Sequence, residues 1–300
     1  IINELQQSNV DMFVDPSFNY GSWVELYNPT DKAVSIIGFH VSEDPANLKM
    51  FRLTPSVGVI PAKGYKVLWF DHNEADPRQI DFKLDCDGGT FYIADENGNL
   101  VTLQSYPAAI SRTSYARTTD GANNWGLTAL PTPGKSNDGS VFATARLDAP
   151  IINKDSQLFT SSFIARVTIP DGATLKYTTD GTTPSATNGQ VSTTGRFTVN
   201  TTTTYRFRLF QDGMLPSEVI TRSYIYKDKE FKLPVISVVT DPVNLYDDSL
   251  GVYVKGVNGR PGNGQSTPCN WNMEWDRPVN FEYITPDGKM AFNQEVDFAM

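Results

Sequence analysis

The chain has 300 residues and a formal charge of −9, enough for two or three small domains, with an overall field that opposes nucleic-acid binding. Its longest apolar runs, such as VISVV at 235–239, fall far short of the ~20 residues that a membrane-spanning helix needs. Neither a nucleic-acid partner nor a membrane-spanning segment is expected.

The chain opens with IINELQQSN, which lacks the basic start and long apolar stretch of a signal peptide and reads as a first strand, so any export signal is expected to be already absent. Short runs rich in Val, Ile, Phe, Tyr and Thr then recur between turn residues, among them SWVELYNP, YKVLWF, GTFYIAD, FIARVTIP, TYRFRLF and VNFEYITPDG. Long helical periodicity is nearly absent. The expected fold class is therefore all-β, with tandem immunoglobulin- or fibronectin-like sandwiches followed by an incomplete β-rich segment. Two polar stretches, LPTPGKSNDGS at 130–140 and YKDKEFKLP at 226–234, divide the chain into expected segments of 1–142, 143–228 and 229–300.

In the first segment, WVELYNPT places Trp23, Glu25 and Tyr27 in alternation with Val24 and Leu26, as expected for a strand with one covered face. Asn28-Pro29 ends that strand, and Pro29 spoils the segment's only glycosylation-like triplet. His40 and His72 are the only two histidines, and neither has the spacing to Cys, Glu or His of a metal motif, so both are expected to be structural or solvated. The run DCDGGTFYIADE puts Asp85, Asp87 and Glu96 at the first, third and twelfth places of a calcium loop. Gly89 and Thr90 stand where that loop needs an oxygen ligand and a glycine. A hairpin turn flanked by solvated aspartates is the expectation, with Asp85, Asp87 and Glu96 as weak metal candidates. Cys86 and Cys269 fall in different expected segments, so no disulfide between them is expected, and cysteine usage does not reveal the compartment.

The order of IINEL, WVELYNPTDKAVSIIGFHVSED, IPAKGYKVLWF and NNWGLTALPTPGKSN resembles a lamin tail domain, an immunoglobulin-like sandwich. The resemblance covers the whole first segment and implies an interaction module without catalytic residues.

In the second segment, YTTDGTTPS at 177–185 crowds an aspartate, a glycine and five hydroxyls together. The segment has no His, Cys or paired carboxylates to drive a nucleophile, and no glycine-rich loop opening a helix. Asp180-Gly181 supplies the positive φ of a tight turn, Pro184 ends the ladder, and the hydroxyls bond locally. Together with DAPII at 148–152 and TTTTYRFRLFQDGMLPSEVITRSYIY at 201–226, this turn resembles the small sandwich appended to chitobiases and other hexosaminidases. In those enzymes the chemistry belongs to a separate barrel, so the resemblance implies no catalytic residue here.

The third segment carries TDPVNLYD, GVYV and EWDRPVNFEY, which resemble the opening of the CotH, or spore-coat-protein-H-like, family. Some of its members act as atypical protein kinases. The resemblance implies that nucleotide-binding and catalytic residues would lie beyond Met300, and about seventy residues with a Gly- and Pro-rich loop make a poor core of their own. Trp271 and Trp275, beside Glu274 and Asp276, are weak ligand-binding candidates as an aromatic platform, although their i, i+4 spacing fits ordinary packing better. Asp241, Asp247 and Asp248 invite a cation, but a helix cap at Thr240-Asp241 with Pro242 as first helical residue explains Asp241 more simply.

No catalytic residue, metal or cofactor is assigned. The expected function is a non-catalytic binding or scaffold region of a secreted or surface-attached bacterial protein, contacting carbohydrate or protein at the cell surface and the remainder of its own chain after Met300. The alternative is the targeting region and front part of a CotH-like phosphotransferase. A glycoside hydrolase would need two facing carboxylates about 5–10 Å apart.

Overall fold

The computed structural model describes residues 1–71, 76–143 and 145–300. His72 lies outside the described residues. The fold is nearly all β: among the described residues the one α-helix is the single turn Val243–Tyr246, with a 3-10 turn at Asn270–Asn272. The chain forms two compact units, Ile1–Thr144 and Ala145–Met300. No helix of the described residues is long and apolar enough to cross a membrane.

The first unit stacks two sheets. The larger runs Phe142–Ala143, Trp125–Thr128, Ser114–Arg117, Ile2–Gln6, Ser22–Tyr27, Tyr65–Phe70, Gln79–Ile80, and the smaller runs Leu100–Tyr106, Gly89–Ala94, His40–Ser42, Phe51–Arg52. Between them Val24, Leu26, Leu68 and Phe70 meet Val41, Phe91 and Ile93 in one hydrophobic core. The strand Ser22–Tyr27 departs from the sequence expectation because both of its faces are covered. Trp23 is buried against Phe13 and Trp69, at ring separations of 6.5 and 6.4 Å, and its indole N–H donates to Gln6 Oε1 at 2.9 Å. Glu25 points the same way and is also buried. The Pro- and Gly-rich run at 130–140 is bound to the sheet beside Glu25, since the Gly134 N–H donates to Glu25 Oε2 at 2.6 Å.

The second unit begins with a sandwich. Its five-stranded sheet runs Gln157–Phe159, Ile220–Tyr226, Thr203–Phe210, Thr174–Thr178, Gln190–Ser192, and the pair Phe163–Arg166 with Arg196–Val199 faces it. Leu175, Phe197, Tyr205, Phe207 and Tyr224 fill the space between. Tyr205 and Phe207 stack at 5.4 Å, and Phe197 packs on Phe207 at 5.0 Å. Edge-on and offset ring pairs of this kind add to the burial of their area.

At the 177–185 turn, Asp180 Oδ1 accepts from the Thr182 N–H at 3.0 Å and its hydroxyl at 2.6 Å, while Thr178 Oγ1 donates to the Thr182 carbonyl at 2.5 Å. The hydroxyls therefore close the turn on itself. Gly181 has φ of +86°, and a Cβ there would lie 2.6 Å from the Thr240 carbonyl oxygen. The turn thus also packs against the residue that follows the first strand of the third sheet.

That sheet runs Val235–Val239, Arg277–Ile284, Met290–Phe298. The registers Ile236 to Tyr283 to Phe292 and Val238 to Phe281 put these five apolar side chains on one face. The opposite face carries Ser237, Glu282 and Asn293. The polar face is the one turned onto the sandwich: Glu282 accepts from the Ser156 hydroxyl and, at 2.8 Å, from Asn293 Nδ2, Ser237 and Ser223 share a 2.8 Å hydroxyl contact, and Asn293 Nδ2 also donates to the Thr221 carbonyl at 3.1 Å. The apolar face stays open, with Ile236 56%, Val238 49% and Phe292 43% exposed.

Candidate functional site

The four aromatic and acidic candidates of 271–276 do not converge. Trp275 is 1% exposed, and the Arg277 guanidinium lies over its ring at 4.9 Å while Arg277 Nε donates to the Leu250 carbonyl at 3.0 Å. Its ring is therefore packed under a cation, unavailable to a flat ligand. Trp271 is half-buried on the 3-10 turn. That turn ends at Asn272, with Met273 extended, so the i, i+4 helical geometry that would align the two rings is not formed. Glu274 is exposed and pairs with Arg260 at 2.6 Å, and Asp276 is exposed on the following residue but one.

The acidic candidates are likewise used locally. Asp85 Oδ1 accepts from the Asp87 N–H at 2.8 Å, closing a turn before Gly89–Ala94. Glu96 lies past the far end of that strand, where its side chain borders Gly38 and Arg52. Six strand residues at ~3.3 Å each hold the two ends about 20 Å apart, so the twelve-residue loop that would gather Asp85, Asp87 and Glu96 does not exist. The 85–88 turn also joins no hairpin, because Gly89–Ala94 pairs with His40–Ser42 and Leu100–Tyr106. Among the described residues no group of three His, Cys, Asp or Glu side chains is arranged to hold a metal ion. Asp241 Oδ1 accepts from the Val243 N–H at 3.2 Å, and Asp247 Oδ1 from those of Ser249 and Leu250 at 2.8 and 3.0 Å. Pro242 is the N-cap residue itself, one place before the first helical position expected for it. His40 is buried with Nδ1 3.1 Å from the Asp95 carbonyl oxygen. Cys86 and Cys269 are free thiols, the first exposed and the second buried.

Sequence reasoning missed a carboxylate cluster in the first unit. Burial pushes Glu25 up to about 8 and Glu4 up to about 7. Glu25 Oε1 accepts from Asn3 Nδ2 at 3.0 Å, and Glu4 Oε2 accepts from the Thr132 N–H and hydroxyl at 3.1 and 3.0 Å. Beside them Asp120 takes hydrogen bonds from Asn3, Tyr65, Ser136 and the Asn137 N–H, at 2.9, 2.5, 2.6 and 3.1 Å. Those donors hold its carboxyl below the usual range in spite of the desolvation that opposes them. Such values suit acid–base chemistry. Glu4 and Glu25 are nevertheless fully buried, bonded under Thr132 and Gly134. The cluster fastens a loop. The signal was present in the alternation, since Glu4 and Glu25 stand opposite each other on paired strands, but a strand with one wet face would have left both in solvent.

One accessible concavity among the described residues lies at one end of the sandwich. Strand Arg196–Val199 ends at Asn200, and the 200–202 turn leads into Thr203–Phe210. Thr202 Oγ1 accepts the Tyr226 N–H at 2.9 Å, which ties this turn to the end of the strand Ile220–Tyr226. Together with Ile225, Asp228, Lys229 and Phe231 they line a shallow, open groove of 540 Å³. Tyr226 is 43% exposed, and its ring meets Phe159 edge-on at 5.5 Å. A smaller, more polar cleft of 200 Å³ lies over Arg206, Thr221, Asn280, Asn293 and Glu295.

Residues 156–221 match the chitobiase/beta-hexosaminidase C-terminal domain family. This is the stretch that builds most of the second unit's sandwich, and domains of that family are β-sandwiches associated with carbohydrate-active enzymes. No curated protein matches the chain.

Proposed function

We propose that this chain is a non-catalytic binding region that holds a protein on carbohydrate at the cell surface. The observation that carries the reading is the match of residues 156–221 to a domain family named for chitobiase and β-hexosaminidase. The order of lamin-tail-like motifs in residues 1–137 supports an interaction module in front of it, and secretion of a bacterial protein fits the company such modules keep.

The test is a sedimentation assay of the 300-residue chain with insoluble chitin, cellulose and bacterial peptidoglycan. Retention on at least one polymer, with no release of reducing sugar, is the expected result. An unretained chain, or one that cleaves the polymer, would overturn the proposal.

One observation favours a second reading. The three-stranded sheet of the second unit exposes its apolar face, and a sheet needs a second layer on such a face. Residues 229–300 would then be one layer of a larger CotH-like domain, as their motifs suggest. A longer natural chain that transfers phosphate from a magnesium–nucleotide complex would support this reading, and a longer chain inert to nucleotide would count against it.

A further inference from the structure

Resting on the carbohydrate reading above, we propose that the groove between the 200–202 turn and Tyr226 is the ligand site of this chain, and that it takes a neutral pyranose oligosaccharide. The argument begins with the ring. Tyr224 and Tyr226 are two residues apart on one strand, yet Tyr224 is wholly buried while Tyr226 emerges at the sandwich end. An edge-on contact with Phe159 fixes the Tyr226 ring without covering both of its faces. The axial C–H groups of a pyranose form a flat apolar patch that fits such a ring, so the ligand loses little on leaving water at that surface.

Around the ring stand the groups a sugar's substituents need. Among the described residues none bonds the side-chain amide of Asn200, the hydroxyl of Tyr226 or the carboxylate of Asp228. An amide offers both donor and acceptor, and a carboxylate accepts from two neighbouring hydroxyls. The lining carries one acid, Asp228, and one base, Lys229, so no net charge in the groove selects a charged ligand. The groove is shallow and open along the surface, so a chain of sugar rings can lie across it where a compact ligand would not be enclosed.

The position is also held in place. The Thr202 hydroxyl accepts the Tyr226 N–H at 2.9 Å, and the Lys227 N–H donates to the Phe159 carbonyl at 2.8 Å. The 200–202 turn and the end of the strand are therefore pinned before a ligand arrives, which reduces the ordering cost of binding. A separate exposed aromatic pair, Tyr246 and Tyr253 at 6.2 Å, is not among the groove's lining residues and serves as the control.

The test is calorimetric titration of the 300-residue chain with β-1,4-linked hexamers of N-acetylglucosamine and of glucose. The expected result is binding of at least one hexamer, weakened at least about tenfold by Tyr226→Ala and by Asn200→Ala, and unchanged by Tyr253→Ala. Tyr226→Trp guards against a misfolded alanine variant: it should keep binding, and its indole emission should change as the hexamer is added. Hexamer binding that is indifferent to Tyr226 and Asn200 would overturn the groove while leaving the carbohydrate function standing. Retention on an insoluble polymer without affinity for either hexamer would overturn the ligand class alone. A chain retained on no polymer removes the function and this site together.

Discussion

Replacing Glu25 with glutamine should change how stability depends on pH. Burial raises the folded-state ionisation of Glu25 from 4.5 to about 8. A carboxyl that binds its proton more tightly when folded contributes stability that is fully present below pH 4.5, declines as the unfolded chain ionises first, and is gone above about pH 8. At ~1.4 kcal/mol per unit, the full swing is at most about 5 kcal/mol. Glu4, Glu43 and Asp15, raised to about 7, 7 and 6, slope the same way, and the lowered N-terminal amine slopes the other way. All four are shared by the variant, so the informative quantity is the difference between the two proteins. Urea unfolding followed by tryptophan emission, with Trp23 as the buried reporter of the first unit, gives that difference at each pH. The wild-type protein should lose ground against Glu25→Gln steadily from pH 5 to 8, by ~3–5 kcal/mol in all, on top of a pH-independent cost of ~1 kcal/mol for the acceptor that glutamine lacks. A difference that stays flat across this range would refute the reasoning.

Three further outcomes follow from the second unit. Gly181→Ala should lower the melting temperature, because the residue holds φ of +86° and the new methyl would fall 2.6 Å from the Thr240 carbonyl oxygen; a loss of ~1–3 kcal/mol is expected, and an unchanged melting curve would show that Thr240 is not packed against this turn. Trp275→Ala should cost ~3–5 kcal/mol and Glu274→Ala less than ~1 kcal/mol, since one is buried under Arg277 and the other forms an exposed pair with Arg260. Equal effects in chemical denaturation would contradict that placement. Glu282→Ala removes the acceptor of the Ser156 hydroxyl and of Asn293, so limited proteolysis should release 229–300 sooner than in the wild type, and an identical digestion course would argue against this polar joint.

Much of the architecture was legible because strand signals are local. Alternating β-branched and aromatic residues bounded by Gly, Pro and Asn marked many of the long strands, though not Leu100–Tyr106 or Met290–Phe298, and the Asp180-Gly181 turn could be read from its φ requirement alone. Burial on the second face of a sheet was not legible, because it depends on a partner far along the chain. Glu25 looked solvated until Gly134, 109 residues later, closed over it. The calcium-loop likeness at 85–96 failed for a related reason: spacing along the chain becomes proximity only if the chain bends, and Gly89–Ala94 is extended. Trp271 and Trp275 shared a helical spacing, but the 3-10 turn stops after Asn272 and sends them to different environments. Tyr226 carried a weak signal, an aromatic at a strand end next to a polar run, that only its place beyond the core made meaningful.

The loop at 130–140 has a consequence for anyone dividing this protein into pieces. By composition it invites a cut, being rich in proline, glycine and serine, and a fragment ending at 130 would retain the strand Trp125–Thr128. Such a fragment would lack Thr132, Gly134, Ser136 and Asn137, which supply part of the hydrogen bonds to Glu4, Glu25 and Asp120. Three carboxylates would then face water side by side, repelling one another across the middle of the sheet. A stretch that looks like packaging between modules is bound into the first module, so the boundary belongs after it.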